Sequence, residues 1–201
     1  NEILANCQTE DERKRTAELI RPILRGRDIK RYEYVDNGLY LINTHNGIKG
    51  KFPRIDINDY PAVKAHLDQY WDKISARADK GDTPYNLRNC AYLEDFSKPK
   101  IIYPDICTFL SFELDTSCFY LSNTAYFLIT EKEEYLKYFL RVLNSSVMDW
   151  YYRTLSVQLG EKAVRMFSIY VLNIPIPPIS DEPIEEILKL SKEEKLFISG
   201  S

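Results

Sequence analysis

"AYFLITEKEEYLKYFLRVLNSSVMDWYYRTL", residues 125–155, changes its hydrophobic period midway. Residues 125–130 are short, aromatic and β-branched, which is how a strand reads. Beyond Glu133 the period becomes helical: Tyr135, Tyr138, Phe139 and Val142 fall at three- and four-residue spacing. The stripe resumes at Trp150 and Tyr151 after Asn144-Ser145-Ser146, which breaks or bends the helix. Helical spacing makes this stripe core rather than a platform for stacking bases. A strand that feeds two helices predicts a mixed α/β (α+β) chain.

The flanks agree. "KIIYPDI" (100–106) and "CTFLSFEL" (107–114) read as strands, so residues 99–130 are expected to lie side by side in one sheet. Residues 60–78 read as one helix, with Val63, Leu67, Tyr70, Trp71 and Ile74 at helical spacing, Pro61 in the first turn, and Leu67 and Trp71 buried. Thr9 with Glu12 three residues on is a capping-box pattern for an N-terminal helix that Pro22 stops. "ILRGRDIKRYEY" (23–34) breaks at Gly26 and then alternates like a strand. "NGLYLINTH" (37–45) reads as its hairpin partner, because Asp36-Asn37-Gly38 supplies the residues a tight turn needs. "AVRMFSIYVLNIPIPPI" (163–179) is expected to be extended, and the tail from Asp181 an amphipathic helix through Ile184, Ile187, Leu188 and Leu190. The expectation is one mixed domain with a small β-sheet flanked by helices, plus a C-terminal helix. Its boundaries are 1–20 for an N-terminal helix or linker, 21–178 for the main domain and 179–201 for the terminal helix.

Composition excludes several classes. Net charge is −3 over 201 residues, but the acid sits at the ends: residues 21–180 hold 21 Lys+Arg against 19 Asp+Glu. So small an excess does not make a sequence-independent nucleic-acid coat, whereas local basic patches are allowed. No apolar run approaches a membrane span, and the N-terminal stretch is no secretory signal. Cys7, Cys90, Cys107 and Cys118 form no CxxC pair, and His45 and His66 are the only histidines. A zinc site and a disulfide framework are therefore not expected, and the setting reads as cytoplasmic.

Catalytic motifs mostly fail. Pro104-Asp105 followed by Glu113-Leu114-Asp115 resembles the start of a metal-dependent nuclease signature, but the lysine after the second acid is missing. There is no GxGxxG, no GxxxxGK[ST] and no Gly-x-Ser-x-Gly elbow. No catalytic or metal-binding residue is assigned.

The loops are more suggestive. "RADKGDTPYNLRN" (77–89) mixes Arg77, Lys80 and Arg88 with Tyr85, Asn86 and Asn89 around a Gly-Asp-Thr-Pro turn. Such a loop is either a solvated connector or a surface that touches a polyanion with readable edges. Arg25, Arg27, Lys30 and Arg31 flank Gly26, where Asp28 is placed to pair with Arg31 or Arg25 internally. Gln158, Lys162 and Arg165 surround Gly160 in either a solvated link or a loop that enters a groove.

Laid in order, "RPILRGRDIKRY" (21–32), "RADKGDTPYNLRNCAYLEDFSKPKIIYPDI" (77–106), "FYLSNTAYFLI…YLKYFLRVLNSSVMDWYYR" (119–153) and the closing "IPIPPI" resemble the TaqI-like C-terminal specificity domain. Such domains are target-recognition domains of adenine-specific DNA methyltransferases and of fused type IIG restriction–modification enzymes, similar in fold to those of type I specificity subunits. The resemblance covers roughly residues 20–178. It departs in lacking the Asn-Pro-Pro-Tyr motif, the glycine-rich methyl-donor site and the Thr-Gly-x-Asn-Lys opening strand. The chain therefore resembles a C-terminal piece of a larger enzyme, with chemistry elsewhere.

The resemblance implies that double-stranded DNA is the partner, together with the parent's methyltransferase domain, and that no membrane is involved. Cofactors are implied for the parent alone: S-adenosylmethionine, and Mg2+ where it also cleaves. Arg88, Asn86 and Asn89 are then candidates for base edges, and Arg77, Lys80 and Thr83 for phosphates, with Tyr85 stacking or packing beneath. Arg25, Arg27 and Lys30 become a candidate phosphate clamp, and Gln158, Lys162 and Arg165 a second loop toward a groove. The alternative is a non-enzymatic protein-interaction module that docks another subunit through its acidic tail and tyrosine-rich helices.

Overall fold

The computed structural model describes residues 2–160 and 162–200. Helices α1 (Glu2–Ala5) and α2 (Glu10–Leu19) lead into strand β1 (Ile20–Leu24). Strands β2 (Ile29–Lys30), β3 (Glu33–Tyr34) and β4 (Tyr40–Ile42) precede helices α3 (Pro61–Asp68) and α4 (Trp71–Ser75). Strands β5 (Lys100–Pro104), β6 (Ile106–Cys107), β7 (Glu113–Asp115), β8 (Tyr120–Leu121) and β9 (Ala125–Leu128) follow. Helices α5 (Glu134–Leu143) and α6 (Ser146–Leu155), strands β10 (Gln158–Leu159) and β11 (Ala163–Arg165), and helices α7 (Ser168–Val171), α8 (Ile184–Ile187) and α9 (Lys192–Ser199) complete the order. The fold is mixed α/β, with small sheets flanked by helices. Its contacts group into two compact units: one joins the chain up to Pro22 with Tyr40–Glu94, the other Ile23–Leu39 with the chain from Asp95.

In the first unit β4 pairs antiparallel with the start of β1, from Ile20 opposite Ile42 to Pro22 opposite Tyr40. This corrects the expected pairing with residues 29–32. Gly38 does turn the chain, at φ +64° with its N–H on Asp36 Oδ1 at 2.8 Å. But β2 closes its own hairpin with β3 around Tyr32, which sits at φ +69°. A tyrosine seldom adopts that backbone, so the sequence hid the turn.

Thr9 caps α2 as expected, accepting from the Glu12 N–H at 3.1 Å. The buried Glu12 carboxylate departs from a capping box. It accepts from the N–H groups of Gln8 (2.8 Å) and Ala62 (2.9 Å), which ties α2 to the start of α3. Those two backbone hydrogen bonds hold its pKa below the ordinary carboxylate value. The expected single helix over 60–78 is two helices. α3 ends at Asp68, and Trp71 opens α4 with 44 % of its surface exposed, its ring 5.4 Å from Tyr85. Aromatic spacing alone could not tell burial from packing against a neighbouring loop.

The second unit is built on the antiparallel sheet β7-β5-β9, in which every residue of β5 is buried. Ile101, Tyr103, Leu110 and Phe112 pack with Leu136, Val142, Val147 and Tyr152 from α5 and α6. Each such fully buried apolar side chain contributes about 1.5–3 kcal/mol. Ser145 separates the two helices by capping α6, accepting from the Met148 N–H at 3.2 Å. Not all strands of 99–130 share one sheet: β6 leaves to pair with β11, and β8 pairs in parallel with the end of β1.

Lys100 and Asp115 face each other across β5 and β7 with no exposed surface, 2.6 Å apart. The remaining polar atoms of the pair are satisfied by the Phe96 carbonyl and by the N–H groups of Ser117 and Phe119. Downstream, residues 168–171 form α7 where extended chain was expected, and this seats Val171 in the core. The tail forms two short helices, not one. Lys189 at φ +54° ends the first, and a Ser191–Glu194 capping box starts the second.

Candidate nucleic-acid interface

In the first unit the 77–89 loop is closed on itself. Lys80 and Leu87 form an isolated antiparallel bridge, the Gly81 N–H donates to the Asn86 carbonyl (2.9 Å), and the Leu87 N–H to the Thr44 carbonyl (2.9 Å). Arg77 donates to the carbonyls of Pro84 and Asn86, both at 3.0 Å, while its Nε is buried without a partner among the described residues. Asn86 is 1 % exposed. Its amide donates to the Ile55 carbonyl at 3.0 Å, and its Oδ1 accepts from Thr83 Oγ1 at 2.6 Å. Arg77 and Thr83 therefore spend polar groups inside the loop, and Asn86 pins the loop to the backbone of Ile55. The Asn86 amide, a candidate for base edges, is thus buried and bonded to backbone in this structure rather than turned outward.

Tyr85 lies beneath the loop. Its hydroxyl donates to Asp68 Oδ1 at 2.6 Å, and Lys64 sits 5.5 Å from the ring centre. The hydrogen bond to Asp68, and then burial, hold the Tyr85 hydroxyl above its ordinary pKa. Lys64, hydrogen-bonded to Asp68, holds that carboxylate below its own.

The outward groups are fewer. Arg88 is exposed and has no hydrogen bond or ion pair among the described residues. Lys80 is exposed, with Nζ on the Ser75 carbonyl at 2.7 Å. Asn89 is exposed and accepts from Asn46 Nδ2 at 2.6 Å.

Asn46 is the residue that sequence reading missed. Its Oδ1 accepts from the Asp82 N–H (2.9 Å), and its Nδ2 reaches both Asp82 Oδ1 (2.9 Å) and Asn89 Oδ1 (2.6 Å). A Cβ on Gly81 would stand 2.6 Å from Asn46 Oδ1 and 2.5 Å from the Leu87 carbonyl oxygen, so glycine is needed where the two segments meet. Asn46 lies 36 residues before Asp82, and no local pattern links the two.

In the second unit, Arg25 is the partner that Asp28 selects. Its Nε and one terminal nitrogen grip the carboxylate at 2.8 Å each, and its N–H adds a third bond at 2.8 Å. That grip, first through the side chain, holds the Asp28 pKa below the ordinary value. Arg27 and Lys30 remain exposed, without a side-chain partner among the described residues. Gly26 approaches the Thr124 carbonyl so closely that a Cβ would lie 2.1 Å from its oxygen.

Strands β10 and β11 form a β-ribbon rather than a solvated link. β10 pairs with β11 around Gly160 at φ +66°, and β11 pairs onward with β6, placing Arg165 opposite Ile106. Arg165 reaches Asp105 at 3.5 Å, and Asp105 and Ile106 line a shallow groove with Arg27 and Gly26. Two candidate clusters that the sequence left separate thus meet at Asp105. Lys162 is exposed near the ribbon tip, and Gln158 is exposed on its first strand.

The acids do not form a metal site. Asp115 is committed to Lys100, Asp105 pairs with Arg165, and no group of three or more His, Cys, Asp or Glu able to hold a metal exists among the described residues. Glu113 is pushed upward by burial, and its Oε2 lacks a partner among the described residues. Burial also pushes the Cys107 thiol up to about 12, far from a reactive thiolate. Among the described residues no helix is long and apolar enough to cross a membrane.

A family model described as the TaqI-like C-terminal specificity domain matches residues 21–176, most of the chain. A specificity domain is non-catalytic in itself and serves DNA target recognition in restriction–modification systems. The exposed cations on internally braced loops suit that task, and the chain belongs to the TaqI-like C-terminal specificity domain family.

Proposed function

We propose that this chain reads the DNA target for an adenine-specific methyltransferase of a restriction–modification system, with or without a fused endonuclease. One observation carries the proposal: Arg88 stands exposed and, among the described residues, unpartnered on a loop whose Arg77, Thr83 and Asn86 side chains hold its shape. A guanidinium carried on a braced backbone and free of protein partners has its paired donors available for the O6 and N7 acceptors of guanine. Lys80, Arg27, Lys30 and Lys162 are suited to phosphate oxygens, as point charges or flexible donors.

Transfer of a methyl group from S-adenosylmethionine, and any magnesium-dependent cleavage, belong to the parent's methyltransferase and nuclease parts. The committed acids described above do not fit a magnesium site. The working compartment is the cytoplasm, where chromosomal and incoming DNA are met. Incubating the chain with duplex DNA, magnesium and S-adenosylmethionine should yield salt-sensitive binding without methylation or cutting. Product formation by the pure chain would overturn the assignment.

Docking of a protein subunit is the second reading. Leu196 and Phe197, both exposed on α9, favour it. Their replacement by Ser leaves DNA affinity unchanged and weakens subunit association if that reading holds.

A further inference from the structure

Phe109 combines the exposure of a loose loop residue with the mounting of a core residue. Its side chain is 62 % exposed, yet Leu110 and Phe112 beside it are buried. The Leu110 N–H donates to Asp149 Oδ1 at 2.6 Å, and the Phe112 N–H to Asn144 Oδ1 at 3.0 Å. Arg153 completes the mount. Its Nε holds Asp149 Oδ2 at 2.8 Å, and its other nitrogens reach the carbonyls of Thr108 and Lys162. Its guanidinium carbon lies 5.9 Å from the Phe109 ring centre. The same arginine therefore fastens the aromatic loop to the β10–β11 ribbon.

A ring held this way loses little freedom on binding, so contact with it is efficient. The cations of the ribbon decide what it touches. Lys162, whose carbonyl takes one Arg153 bond, is exposed with no side-chain partner among the described residues, and Arg165, paired with Asp105, is partly exposed further along the ribbon. A polyanion suits that surround, and a two-stranded ribbon has the width to enter a major groove. In that groove a phenylalanine ring makes apolar contact with base edges, the thymine methyl above all.

We infer that Phe109 is an apolar DNA contact, its ring set against a base edge in the groove that the β10–β11 ribbon engages. The inference rests on the DNA-recognition reading and adds a residue that charge patterning cannot reveal.

The test uses the native full-length protein carrying Phe109→Ala, Phe109→Tyr or Lys162→Ala. Each is titrated at two salt concentrations against its target duplex, with 2-aminopurine at successive steps and thermal melting alongside. Phe109→Ala should weaken binding roughly 10- to 100-fold, the range for losing the burial of one phenylalanine side chain. It should leave the salt slope unchanged and erase a fluorescence change at one step that wild type and Phe109→Tyr both give. Lys162→Ala should flatten the slope by about one unit. Wild-type affinity for Phe109→Ala, with Lys162→Ala behaving as stated, overturns the contact and leaves DNA recognition standing. A loss matched by a fall in melting temperature also overturns it, by assigning Phe109 to folding. Absence of salt-sensitive binding in the wild-type protein removes DNA recognition and the contact together.

Discussion

Replacing Asn86 with Ala separates bracing of the loop from reading by it. The side chain is buried and makes a 3.0 Å donor bond to Ile55 and a 2.6 Å acceptor bond from Thr83, with weaker approaches to the carbonyls of Thr44 and His45. Alanine strands the Ile55 carbonyl and the Thr83 hydroxyl. Each buried group left unsatisfied costs about 1–3 kcal/mol, so a total of about 2–4 kcal/mol follows if water relieves part of one. In a chain of this length each kcal/mol lowers the melting temperature by about 2–4 °C, giving a drop of about 4–16 °C. Because the loop loosens as a whole, DNA affinity should fall on target and scrambled duplexes alike. The assay pairs differential scanning calorimetry with binding to both duplexes below the melting range. An unchanged melting temperature, with affinity lost on the target duplex alone, would refute the bracing role and return Asn86 to the bases.

Three further outcomes follow from the packing. Lys100→Met strands Asp115 in a site with no exposed surface and should cost about 3–5 kcal/mol by urea titration. Lys100→Met with Asp115→Leu should regain most of that loss, since an apolar pair of similar volume needs no partner. Gly81→Ala forces a Cβ to within 2.6 Å of Asn46 Oδ1, so amide exchange of the Gly81 and Leu87 N–H groups should accelerate while that of the β5 amides does not. Asp28 has a folded-state pKa below its unfolded value, so its stabilisation is present above the unfolded pKa of about 3.9 and is lost as pH falls through the folded value. Asp28→Asn should therefore lower stability at pH 7 and flatten the decline below about pH 4, read as melting temperature against pH.

The sequence carried some layers of this molecule and concealed others. The strand-to-helix change at 125–155 was legible because Tyr138, Phe139 and Val142 of α5 do pack on the core, whereas Tyr135, Trp150 and Tyr151 are only partly buried and α6 buries Val147, Met148 and Tyr152 instead. Pairing was less legible. Gly38 marks a turn, but only the three-dimensional contacts show that Ile20–Pro22, rather than Ile29–Tyr32, receives β4.

Side-chain chemistry behaved likewise at the candidate interface. Asn86 and Arg88 are equally good donors on paper. One faces the Ile55 carbonyl and the other faces solvent, and that difference depends on backbone placement. Phe109 escaped notice because it sits in no basic or turn-rich run, and Asn46 because the Asn-Gly turn it opens does not say what its side chain meets. Their roles come from partners far along the chain, Asp82 and Asn89 for the first and Asp149 and Arg153 for the loop that mounts the second.

Base reading by the 77–89 loop is tested most directly by comparing Arg88→Ala with Lys80→Ala on target and scrambled duplexes at two salt concentrations, in the full-length native protein. Arg88→Ala should cost roughly 1–3 kcal/mol on the target duplex and little on the scrambled one, because it removes directed donors. Lys80→Ala should weaken both duplexes equally and flatten the salt slope by about one unit. Equal losses on both duplexes for Arg88→Ala, or no loss on either with an unchanged melting temperature, would contradict sequence reading by this loop.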